Sequence, residues 1–266
     1  MGFVNGYRFV SMGSPEWAQG INNVGGVGLP YTEKPVNIWK KEQFSSDFLA
    51  ISPNNQISAI VDHDGSGCKL VSVFESRAIL LYLGEKEGKL TPTDPRKRIM
   101  CLEWLMWQMG GVGPMFGQAH HFLDGTKEEV PFAIERYVNE CHRLYGVLND
   151  HLESKEYVAG SEYSVADLAI IPWVQKHARH RTKLEDFICV ERWCKKLTQR
   201  PAIKRGMARL GENKFVKKFG RCRSKNIHFC IINGSCYTVV GPSIENQKLG
   251  GHTPLDFFKL ENTVSL

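Results

Sequence analysis

Nowhere in 266 residues is there a run of about 20 apolar side chains, and the first residues lack the basic start and apolar stretch of a secretory leader. The chain is therefore expected in the cytoplasm, without a membrane partner. Eight cysteines are present, yet no two form Cys-x-x-Cys and none of their spacings matches a zinc site. They read as buried or incidental thiols, and no metal is expected. Cys222, Cys230 and Cys236 with His228 fit no common ligand spacing, and His177 with His180 lacks a third ligand. An excess of one charge sign is also small: 34 Lys plus Arg stand against 28 Asp plus Glu, giving +6. Of this, +4 falls after residue 210, where eight basic residues meet four acidic ones. The preceding 210 residues are nearly neutral, so a nucleic-acid surface spread over the whole protein is excluded. The basic run from Lys214 to Lys225 reads as a solvated tail, with nucleic-acid binding through that run as the alternative. With 42% apolar and 23% charged residues, a disordered chain, a collagen-like repeat and a disulfide-dense miniprotein are excluded as well.

What is present is an ordered succession of element signals. Residues 31–38 alternate as a short strand does, and Ser45 is placed to cap a brief helix. Two strands, Ile57 to Val61 and Lys69 to Phe74, flank the turn-rich HDGSG. A helix starts at Ser76, with Ile79, Leu80 and Leu83 on one face and Gly88 at its stop. Strand, helix, strand, strand, helix within 90 residues describes a small mixed α/β domain. After the turn-rich residues 88–94, Asp94 caps a helix with Pro95 in its first turn, and GGVGP at 110–114 is expected to break it. A long amphipathic helix spans roughly Val130 to Leu152, with Ile134, Tyr137, Cys141, Leu144, Leu148 and Leu152 inward. Ser164-Val-Ala-Asp167 is a capping box, a helix signal without chemistry. Everything from 95 to about 209 reads as helical. The last 56 residues combine a basic half with a β-prone half that finds no partner strands nearby in sequence.

Five stretches carry a resemblance: FLAISPNNQISAIVD, LVSVFESRAILLYLGEK, WLMWQMGGVGPMFGQAHHF, AIERY and YVAGSEYSVADLAIIPW. Together, from about Leu29 to Leu210, they resemble a cytosolic glutathione transferase of the nu-class or disulfide-bond oxidoreductase branch. The resemblance implies a thioredoxin-like N-terminal domain followed by an all-helical C-terminal domain, glutathione as cosubstrate, a small disulfide or electrophile as second substrate, and a homodimer. Its boundaries are residues 1–88 for the glutathione-binding domain, with 1–28 divergent, 89–94 for the linker, 95–210 for the helical domain and 211–266 for a tail of unknown or disordered structure.

Glutathione offers a zwitterionic γ-glutamyl end, two amides and a thiol. Ser76 at a helix N-terminus suits its carboxylate and Glu75 its ammonium. Read without the resemblance, the pair is a plain helix cap. The resemblance also implies that Ile57 pairs through its backbone with the cysteinyl part, that Gln43 meets the glycine end, and that Arg136 binds a carboxylate of glutathione or its disulfide. A bidentate contact suits that guanidinium, although a solvated helix arginine is the bland alternative. Two departures stand out. The residue after Ile57 is Ser58 where the family has a cis-proline. Since a cis bond before a non-proline residue is disfavoured by about 2.5–4 kcal/mol, this bond is expected trans, or cis only where its surroundings hold it. At the other end, an ungapped register puts Tyr7 to Met12 on the first strand and leaves Ser14 as the hydroxyl aimed at the sulfur. Glu16 then falls where the family has an amide, and its charge would raise the thiol pKa. An enzyme is expected, with a catalytically impaired binding or regulatory protein of the same fold as the alternative. His120-His121 reads as structural, solvated or cleft-lining, and Trp104 with Trp107 as core or cleft wall.

Overall fold

A computed structural model describes residues 7–11, 31–211, 216–221, 228–232 and 235–239. β1 (Tyr7–Ser11) lies parallel to β2 (Tyr31–Pro35), Tyr7 opposite Tyr31. The segment that follows turns through two short 3₁₀ pieces into α1 (Ser46–Leu49). There the Ser45 hydroxyl accepts the Phe48 N–H at 3.4 Å, the expected cap. β3 (Ala59–Gly65) runs antiparallel to β1 and β4 (Lys69–Phe74), giving the order β2-β1-β3-β4. β1 occupies the register expected for the first strand of a thioredoxin-like sheet.

α2 (Ser76–Lys86) packs Ile79 and Leu83 against Ile60 of β3. It is also tied to that strand by polar contacts. Asp62 is only 2% exposed and accepts from Tyr82 Oη at 2.5 Å and Lys86 Nζ at 2.7 Å. Burial pushes the Asp62 pKa upward, but the Lys86 and Tyr82 hydrogen bonds outweigh it and hold the group below its ordinary value. Gly88, at φ +61, ends the helix as its sequence position suggests.

α3 (Pro95–Trp107) begins with Asp94 accepting the Lys97 N–H at 2.9 Å. Here the chain departs from the sequence expectation. GGVGP does not break the helix: residues Gln108–Val112 make a π-helical turn that leads directly into α4 (Gly113–His120). The glycines serve close approach. A Cβ on Gly111 would stand 3.4 Å from Leu144, and one on Gly113 would lie 2.9 Å from the Gln108 amide nitrogen. α5 (Pro131–Leu152) buries Cys141, Leu144, Leu148 and Leu152, with Ile134 and Tyr137 half-buried at its outer end. α6 (Val165–Val174) is buried throughout and is opened by the expected capping box. α7 (Ile188–Thr198) and α8 (Pro201–Gly211) complete the helical part.

The largest core unites α3 to α8 and includes Leu80 of α2, so the two parts share apolar packing. A backbone bond joins them too, Val165 N donating to Leu90 O at 2.8 Å. At the centre of the helical part sits Asp167, 0% exposed, whose carboxylate accepts from Val158 N, Ser164 N, Ser164 Oγ and Trp193 Nε1 at 2.8–3.0 Å. After α8, β5 (Val216–Arg221), β6 (His228–Ile232) and β7 (Ser235–Val239) form an antiparallel meander. The β-prone residues at the end of the chain therefore do have partner strands, which the sequence reading missed: they are one another's. Among the described residues no helix is long and apolar enough to cross a membrane.

Candidate active site

The start of α2, the segment that leads into β3, and the π-helical turn with the start of α4 converge on one cavity of about 500 Å³, within the range that small-molecule sites occupy. Gln43, Ile57, Glu75 and Ser76 all line it, so four of the six residues singled out in the sequence share one hollow. The register explains part of this. Ala59 opposes Phe74 across β3 and β4, which sets Ser58 beside Glu75 where the strands end. Ile57 packs with Val36, Phe48 and Ala59. The Ile57–Ser58 peptide bond is cis.

Glu75 precedes α2 at φ 69 and ψ 115, a region that non-glycine residues rarely adopt and that is associated with functional positions. Its carboxylate is exposed, while Ser76 behind it is 5% exposed at the first turn of an eleven-residue helix. That turn offers unbonded amides and the positive end of the helix dipole, so the pair presents an acceptor for an ammonium beside donors for a carboxylate.

Two lining residues were not foreseen. Arg77, 4% exposed, donates through Nη1 to Ser76 Oγ and through Nε to Oε1 of Gln108, which is fully buried in the π-helical turn. Arg77 thus links the two parts of the chain beneath the cavity. Its position after Glu75-Ser76 was the only available signal, since a buried arginine is rare unless paired. Three polar atoms of the lining residues are buried without a hydrogen-bond partner: Gln43 Oε1, Ser58 Oγ and Gln108 Nε2. Such atoms are rare because each costs about 1–3 kcal/mol, and three around one hollow mark a surface shaped for a polar ligand.

Arg136 is not among them. It stands in a separate depression of about 730 Å³ formed by Met115 and one face of α5. This hollow is larger, but Arg143 and Glu140 within it satisfy each other at 2.8 Å, and no buried unpartnered atom lines it. The two hollows lie on either side of the first turn of α4, Gly113 and Pro114 lining one and Met115 the other. Ser14 and Glu16 lie outside the described residues.

The remaining candidates take other parts. His120 stacks on His180, ring centroids 4.6 Å apart and 9° from parallel, and His180 Nδ1 meets Tyr145 Oη at 3.1 Å. Burial first, then the nearby cations Arg179 and Lys176 and the second imidazole, drive His120 down to about 2; the same burial and cations, with His177, drive His180 down to about 3. His177 Nδ1 lies 2.9 Å from Thr182 O. Neither joins a group of three ligands among the described residues. Trp104 and Trp107 make an edge contact at 4.7 Å and pack on the helical core. Burial raises the pKa of Cys101, drives Cys141 up to about 12 and Cys194 up to about 11, so these thiols are poor nucleophiles.

Comparison with known proteins places the chain in a family. The family models "Glutathione S-transferase, N-terminal domain" and "Glutathione S-transferase, C-terminal domain" match residues 24–85 and 114–201. The disulfide-bond oxidoreductase YfcG of Escherichia coli is 45% identical over 70% of this chain and 88% of its own length. YghU of the same organism, also a disulfide-bond oxidoreductase, is 35% identical over 77% of this chain and 72% of its own. Among solved structures, a glutathione transferase family member from Pseudomonas fluorescens with two glutathione bound superposes with a TM-score of 0.74 at 37% identity. It covers 78% of this chain and 94% of the other. A glutathione transferase from Pseudomonas putida with one glutathione disulfide bound per subunit gives 0.73 at 38% identity, over 76% and 91%.

Proposed function

This chain belongs to the glutathione S-transferase family, and from that premise we infer that it is a glutathione-dependent disulfide-bond oxidoreductase. The observation that carries the reading is the joint presence, in one cavity, of the Glu75-Ser76 helix start, the Ile57 backbone and Gln43. In this reading Glu75 pairs with the γ-glutamyl ammonium and the Ser76 turn with its carboxylate. Ile57 pairs with the cysteinyl unit, and Gln43 meets the glycine end. Holding the peptide at both ends fixes the sulfur near a bound disulfide, which is the main kinetic service a thiol exchange requires.

Arg136 serves the second substrate. Its separate hollow supports a contact with a carboxylate of the disulfide partner, not of the glutathione held at Glu75. A homodimer and a cytoplasmic setting belong to the same reading. Ile99, 58% exposed, and Met106, 51% exposed, share one face of α3 and offer apolar surface that pairing would cover. Nucleic acid and membrane have no part in it.

The test is reduction of a small hydroxyalkyl disulfide by glutathione, coupled to glutathione reductase, with YfcG run in parallel. Turnover by the full-length chain is expected. Calorimetric binding of glutathione without turnover would replace the reading with a binding protein of the same fold.

A further inference from the structure

We propose that Ser58 is a catalytic residue, its hydroxyl donating to the glutathione thiolate. The inference deepens the functional reading above and rests on it. Sequence reasoning gives the donor's role to Ser14 and treats Ser58 as a defect, because its backbone position belongs to a proline in relatives. The geometry of the cavity points the other way.

Ser58 is 2% exposed, lines the cavity, and its Oγ has no hydrogen-bond partner among the described residues. A serine hydroxyl carries one donor and two acceptor positions, and leaving it buried and unused costs about 1–3 kcal/mol. Two other buried serines use their hydroxyls within the fold: Ser52 Oγ donates to Gln56 O at 2.8 Å, and Ser164 Oγ to Asp167 at 3.0 Å. Position then selects the atom that Ser58 would meet. The γ-glutamyl end lies at Glu75-Ser76 and the glycine end toward Gln43, so the cysteinyl unit lies between them. Ser58 occupies that interval, beside Glu75 by strand register and adjoining Ile57 in the cavity wall that Gln43 shares. Arg77 lines the same cavity and adds positive potential.

The chemistry balances without a further cofactor. The glutathione thiol loses its proton to water, and the Ser58 O–H donates a hydrogen bond to the resulting thiolate. That sulfur attacks one sulfur of the disulfide. The new S–S bond forms as the old one breaks, and the departing thiolate takes a proton from water. Ser58 keeps its own proton throughout; it lowers the thiol pKa by favouring the charged form.

The experiment titrates bound glutathione by its ultraviolet thiolate absorbance in the full chain and in Ser58→Ala and Ser14→Ala, with S-methylglutathione affinity measured alongside. In the unmodified chain the bound thiol should titrate below the free-thiol value of about 8.5. Ser58→Ala should raise that value by about one pH unit, lower kcat/KM about tenfold near neutrality, and leave S-methylglutathione affinity unchanged. Ser58→Thr, which keeps a hydroxyl, should retain the low value. An unchanged titration in Ser58→Ala, a rise confined to Ser14→Ala, or a loss of S-methylglutathione binding in Ser58→Ala overturns the assignment while leaving the functional reading in place. So does a bound thiol in the unmodified chain that titrates at the free value, a result that needs no variant to fold. Failure of the unmodified chain to bind S-methylglutathione overturns both.

Discussion

Arg77 Nε donates to Gln108 Oε1, so a cation on the helix that starts at Glu75-Ser76 is held by an amide from the helical part of the chain. Both residues are buried, and the contact spans 31 positions of sequence. Replacing Gln108 by Leu removes an acceptor from a charged donor, a loss of about 1.5–3 kcal/mol, and also alters the cavity wall. We expect a lower urea midpoint and a raised KM for glutathione in the same variant. A midpoint equal to that of the unmodified chain would mean that the contact contributes nothing.

The stacked imidazoles predict acid sensitivity. His120 and His180 are held neutral in the folded chain, whereas both take up protons near pH 6.5 when it unfolds. Below that value the unfolded state binds more protons, so stability falls with falling pH, at up to about 1.4 kcal/mol per pH unit for each histidine. The loss should begin near pH 6.5 and amount to roughly 4 kcal/mol by pH 5. Urea midpoints across this window check it, and His120→Phe should reduce the slope by about half.

Asp167 gathers four donors. Asp167→Ala strands all of them in the core, with an expected cost of at least about 3 kcal/mol. Asp167→Asn keeps one acceptor oxygen and should cost less. Denaturation followed by fluorescence of Trp193, itself one of the four donors, reads both.

Glutathione and its disulfide should be separable by mutation. Glu75→Ala is expected to weaken binding of free glutathione about tenfold or more, since it removes the partner of a charged group. Arg136→Ala should leave that affinity within twofold and raise KM for glutathione disulfide. Equal losses in both variants would place Arg136 at the first glutathione.

The local signals were legible where a short stretch of residues decides its own structure. Ser45, Asp94 and Ser164-Asp167 cap the helices that their side chains imply, and Glu75-Ser76, Ile57 and Gln43 meet in one cavity as the family motifs imply. Legibility ended where the deciding partner is distant. GGVGP reads as a break on helix propensity, yet the helix runs on through a π turn, and at Gly113 a Cβ would stand 2.9 Å from the Gln108 amide, a crowding that the local pattern does not show. Gln108 resembled any helix glutamine until Arg77 was beside it. The strands after residue 215 pair only with one another, and a family resemblance ending near Leu210 had nothing to say about them.

The π-helical turn at Gln108–Val112 makes this the place where the helix can lose one residue and keep its course. Such a turn holds one residue more than an α turn, as the Gly113 N–H reaching back to Gln108 O attests. Deleting a single residue from it would leave every hydrogen bond formable as ordinary α-helix. It would also leave α4 nearly in phase with α3, because the π turn winds five residues through close to the angle that four cover in an α-helix, so Phe116 and Ala119 should stay in the core. Point substitutions here test individual contacts, whereas a one-residue deletion tests the bulge itself, and its effect should fall on the cavity wall at Gln108 and Met109 more than on the core.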